Sequence, residues 1–128
     1  MNDDELNALT ERIIGSAFKV LNVLGARFAE EVYHNALVHE LTKGGLVAKT
    51  KEAIQVFYDG IEVGKFIPDI LVNDMVIIEL KATKNHDDAF TAKCLNYLKA
   101  TGKPLCLLLN FGKPQLDIKR YRGFRPGS

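Results

Sequence analysis

"FIPDILVNDMVIIELKA", residues 66–82, contains two apolar runs that are typical of buried β-strands. An Asn-Asp pair at 73–74 separates the runs and is typical of the tight turn of a β-hairpin. Three charged residues interrupt the apolar pattern: Asp69, Glu79 and Lys81. Because burial of an unpaired charge is costly, such residues indicate an ion pair, a metal site or a functional cleft.

The hairpin predicts where these charges lie. Side chains alternate along a strand, so Glu79 and Lys81 point to the same face. With the turn at 73–74, Asp69 falls opposite a residue near Ile78 or Glu79, and the two carboxylates converge. Converging carboxylates are the ligands that Mg²⁺ or Mn²⁺ takes, together with water and substrate phosphate. The alternative is an ordinary alternating strand with a polar face, in which Asp69 pairs with Lys81.

Three helices are predicted around this hairpin. Apolar residues recur every three or four positions from Leu6 to Leu24, after an N-cap at Asp3 or Asp4. A second helix is expected from about Ala29 to Thr42, and a third over residues 87–102. The inward side chains expected for the second helix are Val32, Tyr33, Ala36, Leu37 and Leu41.

The strands complete the expected fold. "AIQVFY" (53–58), "IEVGKF" continuing through "IPDILV" (61–72), and "MVIIELKA" (75–82) predict an antiparallel meander of three strands, with Asp-Gly as its first turn. "PLCLLLNF" (104–111) predicts a strand buried on both faces, and "LDIKRYRGF" (116–124) an edge strand. We therefore expect an α/β (α+β) fold with a mixed sheet flanked by helices, in a single domain over residues 1–128.

Composition excludes several classes of protein. The net charge is +1, no run approaches the roughly 20 apolar residues of a membrane span, and the N-terminus is acidic where a signal peptide is basic. A cytoplasmic protein without membrane contact is expected. Cys94 and Cys106 match no metal-ligand spacing and are interpreted as core residues. A basic C-terminal segment is interpreted as either a solvated end or a phosphate-binding surface: Lys113, Lys119, Arg120, Arg122 and Arg125.

Pro68-Asp69, nine intervening residues and Glu79-Leu80-Lys81 resemble the core motif of the PD-(D/E)xK nuclease superfamily. The restriction-endonuclease-like αβββαβ core of that superfamily is similar to the order of elements predicted above. "VLGARFAEEVYHNAL" (23–37) and "NYLKATGKPLCLLLNFG" (96–112) resemble the GxxExxY protein family, which is assigned to the same superfamily. The resemblance runs from about Leu9 to Phe124.

The resemblance implies a set of site residues. Glu30 and Tyr33 match the Glu and Tyr of the family's name, whereas its first Gly falls on Arg27, a departure. Metal binding is implied for Asp69, Glu79 and Glu30, and these residues together with Lys81 are the implied catalytic set. The alternatives are that Glu30 is a first-turn acid favoured by the helix dipole and that Tyr33 packs on the sheet.

The third helix supplies a second departure. Related nucleases often carry a Gln that faces the site, where this chain has Lys93. Lys93, Tyr33 and Tyr97 are the implied substrate-binding residues. A lysine contacts phosphate as a point charge, and its presence is equally consistent with loss of catalysis.

Two functions remain in competition. The first is a nuclease that depends on Mg²⁺ or Mn²⁺ and hydrolyses phosphodiester bonds of DNA or RNA. The second is a catalytically inactive nuclease-like module that binds nucleic acid or a protein partner, with a homodimer as one form of such an assembly. The sequence contains no G-x-S-x-G, H-E-x-x-H or phosphate-loop motif, which argues against ordinary small-molecule hydrolysis.

Overall fold

A mixed sheet of five strands forms the centre of the structure, with helices against both of its faces. The computed structural model describes residues 2–123. The helices are α1 (Asp3–Leu24), α2 (Glu30–Lys43) and α3 (Asp88–Thr101). The strands are β1 (Ala48–Thr50), β2 (Ile54–Tyr58), β3 (Ile61–Phe66), β4 (Ile70–Val72), β5 (Val76–Lys81), β6 (Leu105–Asn110) and β7 (Asp117–Arg122).

The strand order of the main sheet is β1-β4-β5-β6-β7. β5 and β6 run parallel, and α3 connects them, because a parallel pair requires a crossover. The other neighbouring pairs are antiparallel. All six residues of β6 are buried, and β7 lies at one edge of the sheet. The predicted α+β class, with a mixed sheet flanked by helices, is confirmed.

Alternation along β5 divides the core into two layers. Val76, Ile78 and Leu80 pack with the apolar residues of α1 and α2. Ile77 packs on the opposite face, with Cys94 and other residues of α3. Glu79 shares the face of Ile77, so the motif carboxylate projects toward α3 rather than toward the larger layer.

The predicted three-strand meander is wrong. β2 and β3 form a separate two-stranded sheet, whereas β4 pairs with β5 and with β1 in the main sheet. Pro68 accounts for the break, because it has no N–H to donate to a ladder and the chain leaves strand geometry between β3 and β4. β1, which was not predicted, pairs with the free side of β4.

Helix ends and faces differ from the prediction in two places. The N-cap of α1 is Asn2, whose side chain accepts a hydrogen bond from the Glu5 N–H at 2.8 Å, so Asp3 and Asp4 belong to the first turn. Val32 of α2 was expected to face inward but is 36% exposed. Tyr33, Leu37 and the other inward positions of α2 are at least partly buried, as predicted.

Both cysteines lie in the layer between the sheet and α3, as predicted, and neither forms a disulfide. A hydrogen bond with Cys94 and burial raise the pKa of the Cys106 thiol far above its usual range. The Cys106 thiol is therefore an inert core group.

Part of the basic C-terminal segment contacts α1. Arg120 donates to Asn7 Oδ1 at 2.6 Å, and Arg122 lies 3.4 Å from Asp3 Oδ1. These contacts tie the edge strand β7 to the start of the chain. Arg125 lies outside the described residues. Among residues 2–123, no helix combines the length and apolar character needed to cross a membrane.

Candidate active site

Two carboxylates meet where β4 begins beside the middle of β5. Ile70 pairs with Ile78, so the next step in the register places Asp69 beside Glu79. The Asp69 N–H donates to Glu79 Oε1 at 3.2 Å, and the Leu80 N–H donates to Asp69 Oδ2 at 2.7 Å. The β4–β5 hairpin therefore brings Asp69 and Glu79 together as its turn at 73–74 predicts.

Glu79 is almost fully buried, with 1% of its surface exposed. Among the described residues its Oε2 has no hydrogen-bond partner, although the Lys93 ammonium lies 3.4 Å away. Burial and the neighbouring Asp69 charge raise the pKa of Glu79 to about 7, and Lys93 opposes this rise. Glu79 Oε2 thus accepts no hydrogen bond from the described residues but forms an ion pair with the Lys93 ammonium.

Two lysines approach the carboxylates from the α3 side. Lys81 Nζ lies 4.6 Å from the centre of the Phe90 ring, which holds the ammonium by a cation–π contact. Lys93 Nζ lies 5.6 Å from the centre of the Tyr97 ring. Burial alone would lower the pKa of Lys93, but Glu79 and Tyr97 outweigh this effect, so the pKa is raised. Lys93 therefore remains a cationic donor beside Glu79.

Tyr97 contacts the segment of chain that precedes Asp69. Its hydroxyl donates to the Ile67 carbonyl at 3.2 Å, and its ring meets Phe66 edge-on with centroids 4.9 Å apart. Only 2% of its surface is exposed. These contacts fix the segment that leads into Asp69, so the structure gives Tyr97 a positioning role and little surface for a substrate.

Glu30 begins α2 and approaches the same carboxylates from the other side. Although the residue as a whole is exposed, partial burial of its carboxyl raises the pKa of Glu30, Lys81 lowers it and Asp69 raises it further. The pKa of Glu30 therefore depends on the charges of Lys81 and Asp69. No group of three or more Asp, Glu, His or Cys side chains with metal-site geometry occurs within residues 2–123.

Tyr33 does not reach this cleft. Its side chain is fully buried, its ring stacks on Phe111 at 4.7 Å, and its hydroxyl donates to the Gly25 carbonyl and accepts from the Phe28 N–H. The structure gives Tyr33 the packing role that was the alternative from the sequence. Its spacing from Glu30 does not reveal this, because the burial of a helix face depends on which element covers it.

Lys51 belongs to the surroundings of the site although the sequence did not single it out. Its N–H donates to the Asp69 carbonyl at 3.2 Å, and its charge acts on Glu30. The backbone of Lys51 has a positive φ of 51°, which is unfavourable for a long side chain. No motif marks this lysine, because the pairing of β1 with β4 is what places it there.

The donor set fits a hard divalent cation. Asp69 and Glu79 offer two adjacent carboxylates, and the buried Oε2 of Glu79 accepts no hydrogen bond within the described residues. Mg²⁺ is commonly held by one or two carboxylates, with water and phosphate completing its shell. An arrangement of this kind, beside two ammonium groups, is suited to polarising and cleaving a phosphodiester.

Comparison with known protein families matches residues 7–121 to the PD-(D/E)XK nuclease superfamily. The chain belongs to this superfamily. The matched residues of this PD-(D/E)XK chain include Asp69, Glu79, Lys81 and Lys93, and therefore the whole cleft described above.

A solved relative has the same fold. The crystal structure of an alkaline exonuclease (LHK-Exo) from Laribacter hongkongensis superimposes with a TM-score of 0.50 at 13% sequence identity, covering 90% of this chain and 82% of that chain. At this identity the likeness concerns the fold of the PD-(D/E)XK chain alone. None of the curated proteins compared with the chain matches it.

Proposed function

We propose that the protein is a nuclease that hydrolyses phosphodiester bonds of DNA or RNA with the help of Mg²⁺ or Mn²⁺. The observation that carries this proposal is the buried Glu79, whose Oε1 accepts from the Asp69 N–H and whose Oε2 accepts no hydrogen bond within residues 2–123 and lies 3.4 Å from the Lys93 ammonium. Membership of the PD-(D/E)XK superfamily supports the reaction class. We place the chain in the GxxExxY group of that superfamily, as a single cytoplasmic domain.

Each site residue has a role in this mechanism. Asp69 and Glu79, with Glu30 from α2, would hold the metal ion. Such an ion would supply positive charge against the phosphate and would favour the formation of a nucleophile from water. Lys81, held over Phe90, donates an N–H to the attacking water or to a non-bridging phosphate oxygen. Lys93 attracts the phosphate backbone as a point charge.

A specific contact favours the second candidate, an inactive module that binds nucleic acid or a protein partner, including a second copy of the chain. The Lys93 ammonium already faces Glu79 Oε2, so the site neutralises its buried carboxylate without a metal ion. A module of this kind would bind nucleic acid with a steep dependence on salt and no dependence on Mg²⁺.

A cleavage assay separates the two candidates. Labelled single-stranded DNA, duplex DNA and RNA are incubated with the parent protein and Glu79→Gln in Mg²⁺, Mn²⁺ or EDTA. We expect the parent to cleave at least one substrate in Mn²⁺, and the variant to lose about a thousandfold in rate because it lacks a ligand for the ion. Glu62→Gln, an identical change on the exposed β3 strand, is the matched control.

The nuclease and the inactive module predict different results in this assay. Equal cleavage by the parent and Glu79→Gln would refute the assigned site. Salt-sensitive binding by both proteins, with no cleavage in either metal, would instead support the inactive module.

A further inference from the structure

A cavity opens at the ends of the two parallel strands, where the chain continues beyond Lys81 and Asn110. It has a volume of about 580 Å³ and is lined by three cations, Arg27, Lys84 and Lys113. Ala82, which also lines it, directly follows Lys81 of the motif. We call this space the basic cavity. Among the described residues, no carboxylate lines it.

Two of the loops that form the basic cavity are fixed to each other by Asn110, the last residue of β6. Its side chain accepts from the Thr83 N–H at 3.0 Å and from the Gly112 N–H at 2.9 Å, and it donates to the Thr83 carbonyl at 3.0 Å. A side chain at Gly112 would come within 2.1 Å of the Thr83 carbonyl oxygen, so only glycine permits this contact. The loops that carry Lys84 and Lys113 are therefore held in place before any ligand arrives.

The connection between α1 and α2 forms the remaining side of the basic cavity. The buried Tyr33 hydroxyl bonds the Gly25 carbonyl and the Phe28 N–H, on either side of Arg27. Arg27 has a φ of 82°, a left-handed backbone that costs roughly 1 kcal/mol for a residue other than glycine.

The charges of the basic cavity are not neutralised by the protein. Within residues 2–123, Arg27, Lys84 and Lys113 form no ion pair with a carboxylate. Six other lysines and arginines among the described residues form such an ion pair: Lys19, Lys43, Lys51, Lys93, Lys103 and Arg122. Three unpaired cations around one cavity repel one another and favour an anion between them. Phe28, which is 47% exposed at the rim, offers an aromatic face beside that anion.

We propose that the basic cavity binds a phosphate group of the nucleic-acid strand whose scissile bond lies at Asp69 and Glu79. This inference rests on the proposed function for the identity of the ligand. The phosphate lies on Arg27, Lys84 and Lys113, and a neighbouring base or sugar stacks on Phe28. The phosphate has two possible sources, a terminal phosphomonoester or an internal phosphodiester.

Binding is measured without catalysis. Fluorescence anisotropy in EDTA, at several KCl concentrations, compares short single strands that carry a 5′-phosphate, a 3′-phosphate or two hydroxyl ends. The variants are Arg27→Gln and Lys113→Gln, and Lys99→Gln on the exposed face of α3 is the control with the same change in charge. In parallel, inorganic phosphate is titrated while the amide NMR signals of Lys84 and Gly112 are followed.

We expect Arg27→Gln and Lys113→Gln each to weaken binding about tenfold, and to flatten the slope of log affinity against log salt by about 0.7. Lys99→Gln should change affinity less than about twofold. If the variants lose affinity only for strands with a 5′-phosphate, or only for strands with a 3′-phosphate, the bound group is a terminal phosphate. If they lose affinity equally for all three strands, the bound group is an internal phosphodiester. Losses no greater than that of Lys99→Gln, together with unmoved NMR signals, would overturn the proposal.

A second variant excludes misfolding as the cause. Arg27→Gly relieves the left-handed strain, so its melting temperature should rise while its affinity falls as far as that of Arg27→Gln. Parent-like affinity in Arg27→Gly would remove Arg27 from the site and overturn the proposal. Because the assay requires no cleavage, a failed cleavage assay with intact phosphate binding refutes only the catalytic proposal. Intact cleavage with no effect of these variants refutes only the basic cavity.

Discussion

Glu79 lies between a second carboxylate, Asp69, and the ammonium of Lys93, with 1% of its surface exposed. In the metal-free protein, burial and Asp69 raise its pKa to about 7. The folded state therefore holds a proton on Glu79 at pH values where the unfolded chain has released it. The contribution of this group to stability is complete below about pH 4.5 and is lost as the pH rises through about 7.

This linkage predicts a pH-dependent effect of Glu79→Gln, which cannot ionise. In EDTA, the free energy of unfolding of the variant minus that of the parent should increase between about pH 5 and about pH 8.5, by at most about 3 kcal/mol. Urea denaturation at a series of pH values measures this difference. A difference that is constant with pH would show that Glu79 titrates normally in the folded protein.

At the scale of elements, α3 decides which charge faces the motif. As the crossover between β5 and β6 it covers the face that carries Glu79, and it places the Lys93 ammonium 3.4 Å from Glu79 Oε2. The same turn of α3 directs Tyr97 to the Ile67 carbonyl, next to Pro68 and Asp69. One helix therefore sets both the electrostatics of Glu79 and the position of Asp69.

The charge on α3 should oppose metal binding in the absence of nucleic acid. Replacing Lys93 with Gln removes a positive charge from the edge of the site, so Mn²⁺ should bind up to about tenfold more tightly. Titration calorimetry on the parent, Lys93→Gln and the outward-facing control Lys99→Gln measures this change. Weaker Mn²⁺ binding by Lys93→Gln than by the control would mean that Lys93 organises the site rather than competing with the ion.

The helices and strands also differ in how far the sequence alone predicts their positions. The turn at 73–74 and the apolar alternation around it predict the pairing of Asp69 with Glu79, because both signals are local. The position of β1, and with it the place of Lys51 beside Asp69, depends on the pairing of β1 with a strand that is distant in sequence. Arg27 and Lys113 lie 86 positions apart in sequence, so no local pattern predicts the basic cavity.

At the scale of the whole molecule, the candidate site joins both layers around the sheet. Glu30 comes from α2 in one layer, Lys93 from α3 in the other, and Asp69 and Glu79 from the strands between them. A cation held by these carboxylates would add a further connection between the helices and the sheet, beside the ion pair that already joins α3 to β5. Binding at such a point stabilises the folded state as a whole, because the unfolded chain has no preformed site.

The free energy of unfolding of the protein should therefore increase when the metal ion binds. At a Mn²⁺ concentration of about 100 times the dissociation constant, the parent should gain about 2.7 kcal/mol, or roughly 8 °C in melting temperature, and lose it again in EDTA. Because the ion must displace a proton from Glu79, whose pKa is about 7, affinity at pH 6 should be roughly tenfold weaker than at pH 8. Differential scanning fluorimetry at both pH values tests this for the parent, Glu79→Gln and the surface control Glu62→Gln. Stabilisation of Glu79→Gln equal to that of the parent would place the bound ion elsewhere on the molecule, whereas its loss in Glu79→Gln alone would tie the ion to the carboxylate pair.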